Sequence, residues 1–133
     1  MSIIAIYNYC VALLLFHINF ISMHSREKWR VSEDVACQRY KDRWWICISK
    51  NYTIRWWEID LICEKGKDRV YIEVKCVDYI DDIHWFVTPR KLGRVRKTME
   101  FHALKFPTKK DIRIDVVFVR NGVVDQVYDW VIF

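Results

Sequence analysis

Glycine is scarce in this chain. Three occur in 133 residues, where average usage gives roughly nine. Proline is limited to two. There are no internal repeats or low-complexity segments, and nothing marks a second domain. The five cysteines (Cys10, Cys37, Cys47, Cys63, Cys76) contain no Cys-x-x-Cys spacing. An odd number at wide intervals argues against a zinc site or a disulfide framework and for a reducing compartment.

Other residues are abundant. Tryptophan occurs seven times, high for a small domain. At 53% hydrophobic and 29% charged residues, the chain can bury a core and is not disordered in composition. The formal net charge of +5 weakly favours a polyanionic partner and is silent on fold.

Residues 2–23 hold no Lys, Arg, Asp or Glu. The stretch is long enough for a bilayer, but Asn8, His17 and Asn19 dilute it, and no basic segment precedes it as a secretory signal requires. Three readings stand: an upstream extension with translation starting at Met23, a membrane anchor, or a core helix. Residues 1–24 are therefore set apart as an apolar N-terminal extension, and 25–133 as one domain. The expected location is the cytoplasm, with anchoring through 2–23 as the alternative.

Within 25–133 the pattern is α-β-β-β-α-β-β. Helical spacing covers 25–42. Alternating runs predict strands at 44–51, 57–63 and 69–77, with the turn "EKGKD" at 64–68 joining the last two. Residues 78–86 form an acidic loop. A helix is expected over 88–106, with Thr88 as cap, Pro89 in its first turn and an apolar stripe of Leu92, Val95, Met99, Ala103 and Phe106. Strands follow at 112–120 and 123–133, joined by Asn121-Gly122, a two-residue hairpin signal.

The chemistry concentrates in "WEIDLICEKGKDRVYIEVK". Strand alternation sets Glu58 and Asp60 on one face opposite Ile59 and Leu61, and Tyr71, Glu73 and Lys75 opposite Val70, Ile72, Val74 and Cys76. Hairpin pairing brings Asp60 beside Glu73 and Lys75. Two adjacent carboxylates repel unless a cation lies between them, and oxygen ligands of this kind suit Mg²⁺. The competing reading is an ordinary solvated face with Glu73 and Lys75 paired across strands. On the 88–106 helix, Arg90, Arg94 and Lys97 share a face, as a phosphate-backbone binder requires, although a solvated helix face is the commoner meaning of such a stripe.

Asp-x12-Glu-x-Lys across a hairpin resembles the PD-(D/E)xK nucleases. More narrowly, "SEDVA" (32–36), "WEIDLI" (57–62), "VYIEVK" (70–75), "TPRK" (88–91) and "IRIDVVFV" (112–119) resemble the YraN family of small bacterial proteins. The resemblance implies an α/β, restriction-endonuclease-like fold, a central mixed β-sheet flanked by helices. It implies Asp60, Glu73 and Glu33 as ligands of Mg²⁺ or Mn²⁺, and Lys75 as the catalytic lysine. Glu58 matches a further acid, and Lys91 a lysine at the start of the second helix. The implied activity is phosphodiester hydrolysis of nucleic acid, DNA first, with a homodimer as the other association to consider. The alternative is a nucleic-acid-binding module of the same fold without turnover, and no membrane partner is expected.

Where the family pattern has Gly, this chain has Trp44 and Trp57; Trp29, and Trp85 in the acidic loop, fall where Gly is also expected. Ser32 replaces a further family Gly. One reading joins the glycine deficit to the tryptophan excess: UGA codons that the source organism reads as Gly, translated here as Trp. The other is a divergent, aromatic-rich member. If Trp is real, left-handed turns built for Gly are strained, and Trp57, just ahead of Glu58 and Asp60, is where that strain is expected to matter.

Overall fold

The structure is a computed structural model that describes residues 25–55, 57–77 and 89–131. Helix α1 is Ser25–Asp42 and strands β1, β2 and β3 are Ile46–Ile54, Trp57–Lys65 and Asp68–Cys76. Helix α2 is Pro89–Lys105, followed by β4, Asp111–Arg120, and β5, Val123–Val131. The order is the one expected. The segment 1–24, the acidic loop with Trp85, and the proposed cap Thr88 lie outside the described residues. Among the described residues no helix is long and apolar enough to cross a membrane.

The five strands form one sheet in the order β1-β2-β3-β4-β5. All neighbours are antiparallel except β3 and β4. Antiparallel neighbours can be joined by tight turns, whereas a parallel pair needs a long crossover. Gly66 (φ 55°) lies in the two-residue β2–β3 turn, and Asn121 and Gly122 (φ 52° and 73°) form the β4–β5 turn. Two positive φ values in a row are what Asn-Gly signals. The β3–β4 crossover contains α2.

Alternation sends side chains to two cores. Val70, Ile72 and Val74 of β3 and Val117 and Val119 of β4 pack with Ala36, Cys37 and Tyr40 of α1. Tyr71 and Ile114 pack with Val95 and Met99 of α2. The two helices therefore cover opposite faces of a mixed sheet, the α/β arrangement expected of the restriction-endonuclease-like class.

Buried polar groups tie the layers together, as desolvated donors and acceptors must be satisfied. Asp115, fully enclosed, accepts from the Tyr40 hydroxyl and from Arg113 Nε at 2.7 Å. On the other face, Arg69 donates to Glu64 at 2.7 Å and to the Phe106 carbonyl at 2.8 Å, just past the end of α2. His102, buried beside the Tyr71 hydroxyl at 2.8 Å, occupies part of the α2 face that apolar spacing assigned to Ala103 and Phe106. Phe106 is 46% exposed, so the stripe narrows to Val95 and Met99 among side chains described.

The end of α1 bears on the tryptophans. Trp44 N–H donates to the Lys41 carbonyl and Trp45 N–H to the Tyr40 carbonyl, both at 3.0 Å. This is a Schellman ending, whose left-handed residue is usually Gly. That residue is Trp44, with φ 68° and 84% exposure. Trp57 does not share the feature: it opens β2 opposite Ile54 and is absent from the left-handed residues. The strain expected at Trp57 is thus found at Trp44, because a helix must reverse its twist there while a strand start need not. Replacing Trp44 by Gly removes a Cβ clash worth about 1–2 kcal/mol, less the added freedom of Gly when unfolded, about 0.5–1 kcal/mol. Trp44→Gly should therefore melt higher by a few degrees, about 2–8 °C per kcal/mol gained, in a thermal denaturation. A lower midpoint would mean that the ring stabilises the fold.

Candidate metal centre

Four elements, α1, β1, β2 and β3, build the site, and one step of the sheet decides its shape. In β1, Lys50 pairs with Asp34 of α1 at 3.3 Å, while Tyr52, two residues on, stacks edge-on with His102 of α2. In β2, Leu61 belongs to the α1-side core and Ile59 to the α2-side core. Residues two apart should share a face, so both strands change face between these pairs. The residues at the change are Asn51 and Asp60, between the Lys50–Leu61 and Tyr52–Ile59 pairs. Asn51 has φ 50°, a conformation Asn tolerates better than most residues. The face assignment from alternation is therefore corrected: Leu61 does not oppose Asp60.

β2 and β3 also part company here. Their backbone pairing runs from Lys65–Asp68 to Leu61–Ile72 and no further. Asp60 supplies the missing acceptor: its Oδ2 takes the Val74 N–H at 2.6 Å. Asp60 is buried, and one ligand oxygen each from Glu33, Glu58 and Asp60 lie within 4.8 Å of one another. Glu33 comes from α1, one helical turn before Cys37, and its carboxylate takes a hydrogen bond from the Asn51 side chain.

Glu73 and Lys75 stand beside this group. Lys75 Nζ donates to Glu73 Oε1 at 2.7 Å, and both side chains are mostly enclosed. The Lys75 ammonium also lies 5.4 Å from the centre of the Trp29 ring on α1. Glu73 Oε2 is buried with no hydrogen-bond partner among the described residues. Glu73 is outside the tight trio, but its charge acts on Asp60.

The electrostatics follow from the crowding. Burial above all, then the charges of Glu73 and Glu33, push the Asp60 carboxyl up to about 8, against the opposing Val74 amide and Lys75. Glu33 is raised too, by burial first and then by Glu58 and Asp34, while Asn51 and Lys50 oppose the rise. Three converging carboxylates, Asp60 buried, Glu33 half-buried and Glu58 exposed, with an unsatisfied buried oxygen on neighbouring Glu73, suit a hard cation with all-oxygen ligands such as Mg²⁺ or Mn²⁺. Glu33, Glu58 and Asp60 could hold it, with Glu73 beside them as a further carboxylate.

An open cleft of about 420 Å³ leads to the trio, lined by Arg26, Trp29, Arg30, Glu33, Asn51 and Glu58. Arg26 and Arg30 lie one turn apart on α1. Nothing in their sequence context separates them from other basic residues, so alternation and spacing missed them, as they missed Asn51. Of the basic residues singled out on α2, Arg90, Arg94 and Lys97 are exposed, and the Lys91 side chain lies outside the described residues. Lys97 places its ammonium 5.4 Å from the centre of the Trp57 ring. Together they line a second hollow of about 520 Å³ with Ile54, Arg55, Glu100 and Phe101.

The model of the uncharacterised protein family UPF0102 matches residues 32–119, more than half of the chain. The chain belongs to that family. UPF0102 is the YraN family. A UPF0102 protein of Thermotoga neapolitana is 31% identical over 102 residues, covering 74% of this chain and 92% of the relative. One from Campylobacter jejuni is 30% identical over 94 residues, 71% and 84% of the two chains. One from Helicobacter pylori is 31% identical over 103 residues, 77% and 90%. The matched region contains every proposed ligand and Lys75, together with Arg90, Lys91, Arg94 and Lys97 of α2, whereas Arg26 and Arg30 lie just ahead of it.

The raised Asp60 pKa has a consequence of definite sign. The folded protein keeps a proton that the unfolded chain releases, so stability falls as pH rises from about 4 to about 8. A tenfold difference in proton affinity between the two states corresponds to about 1.4 kcal/mol. Asp60→Asn keeps an oxygen for the Val74 amide and cannot ionise. In EDTA at pH 8 it should be more stable than the parent by on the order of 1 kcal/mol or more, with a flatter pH profile. Mg²⁺ should raise the parent's midpoint at pH 8 and leave that of Asp60→Asn unmoved. A less stable Asp60→Asn at pH 8 would show that the ionised carboxylate is itself structural.

Proposed function

We propose that this protein is a metal-dependent nuclease that hydrolyses phosphodiester bonds, with DNA the first substrate to test. The observation that carries the reading is the buried Asp60 carboxylate converging with Glu33 and Glu58, with the Glu73–Lys75 pair beside it and an open cleft that carries Arg26 and Arg30 leading to Glu33 and Glu58. Family membership supports the fold and is neutral on turnover.

A bound Mg²⁺ or Mn²⁺ would offset the carboxylate charge and act as a Lewis acid toward a phosphate oxygen. The chain's own groups have separable roles. Glu33, Glu58, Asp60 and Glu73 hold the cation. Arg26 and Arg30, in the cleft with Glu33 and Glu58, bind and orient phosphate, since guanidinium matches its geometry in a fork of donors. Arg90, Lys91, Arg94 and Lys97 belong to α2, on the other face of the sheet from α1, and would contribute backbone affinity that weakens with salt. Lys75, kept in place by Glu73 and the Trp29 face, holds the attacking water and moves its proton at Nζ. The Val74 amide fixes Asp60, so the ligand set does not have to order itself when substrate arrives.

The test is a panel of labelled DNA and RNA, duplex, single-stranded and branched, incubated with Mg²⁺, Mn²⁺ or EDTA. Cleavage should require the divalent ion. Lys75→Met should reduce the rate by about 10²–10⁴-fold, the usual scale for a positioned proton-transfer group, while retaining nucleic-acid binding. Tight, metal-independent binding without cleavage across the panel would replace this reading with that of a binding module.

A further inference from the structure

Cysteine number and spacing speak against a zinc site or a disulfide framework, yet three sulfurs meet in the fold. Cys37 comes from α1, Cys47 from β1 and Cys63 from β2. Cys47 and Cys63 are direct partners across the antiparallel ladder. Their Sγ atoms are 2.8 Å apart, and Cys37 Sγ is 3.3 Å from Cys47 Sγ. All three are free thiols; Cys37 and Cys63 are buried and Cys47 is half-buried.

We propose that Cys47 and Cys63 form a thiol–disulfide exchange site, with Cys47 as the entry thiol and Cys37 as a third thiol able to move the bridge. Three observations support it. Directly opposed cross-strand residues have Cα separations within the disulfide range. The sulfurs already touch, within reach of a bond of about 2.04 Å. The sulfurs lie in a row, not a ring: among the described residues the group of three whose ligand atoms all lie within 4.8 Å of one another is the carboxylate trio. A row of thiols exchanges partners, whereas a soft metal wants converging thiolates.

Exposure sets the order of events. Burial raises the Cys63 and Cys37 thiols above their ordinary range, so the partly exposed Cys47 reacts first with a small-molecule disulfide, RSSR. The Cys47 thiolate attacks one sulfur, forming Cys47–S–SR and expelling RS⁻, which takes up a proton. Cys63 then gives up its proton as its sulfur displaces the second RS⁻ from Cys47. Two protein thiols are oxidised, RSSR is reduced to two RSH, and a Cys47–Cys63 bond remains. Cys37 is placed to attack the Cys47 end of that bond. The bridge would join β1 to β2 three residues from Asp60, with Cys37 one turn from Glu33, but it does not depend on nuclease activity.

The experiment treats the folded, full-length protein with oxidised glutathione, alkylates remaining thiols, and maps peptides by mass spectrometry with and without a reducing step. A Cys47–Cys63 linked peptide that disappears on reduction is expected, and Cys37→Ser should still form it. Cys47→Ser, checked for folding by circular dichroism, should not acquire glutathione or a bridge at Cys63. The proposal is overturned if these thiols stay reduced in the native protein yet react after unfolding in guanidinium. It is also overturned if native oxidation pairs Cys10 or Cys76 instead.

Discussion

One hydrogen bond organises the candidate site: the Val74 amide to the Asp60 carboxylate, at 2.6 Å. A sheet that simply continued would satisfy Val74 from the β2 backbone and leave the Asp60 side chain at the mercy of alternation. Instead β2 changes face and separates from β3, and a side chain stands in for the lost carbonyl. Glu33, Glu58 and Asp60 converge because of that change, and Glu73 remains close enough to raise the Asp60 pKa. Without this bond the parting of the strands would leave a buried amide unpaired, at a cost of about 1–3 kcal/mol.

The arrangement is unfavourable for the metal-free protein. Buried carboxylates that repel one another destabilise a fold unless protonated or neutralised by a cation. Regular packing elsewhere offsets this, notably the two apolar cores and the Tyr40–Asp115–Arg113 network that secures α1 to β4. Strain stored at a site and compensated in the scaffold is a common signature of function.

Much of the fold was legible in the sequence. Element order, the Asn121-Gly122 turn and the α2 helix follow from periodicity and turn chemistry, with ends displaced by a few residues; β1, for instance, runs to Ile54 rather than stopping near Asn51. The hairpin spacing also brought Asp60, Glu73 and Lys75 to one neighbourhood. Three things were not legible. The face change at Asn51 and Asp60 depends on a positive φ that no pattern of apolar residues encodes. The approach of Cys37 to Cys47 and Cys63 depends on how α1 lies across the sheet, which local spacing does not specify. The burial of His102 depends on a partner, Tyr71, 31 residues away.

The central claim is that these carboxylates form one divalent-cation site. A crystal grown with Mn²⁺ tests it most directly, through anomalous diffraction near the manganese edge. The expected result is a peak coordinated by Asp60 together with at least two of Glu33, Glu58 and Glu73, with Lys75 alongside. Millimolar Mn²⁺ that gives no peak there, while Asp60 still accepts the Val74 amide, would contradict it.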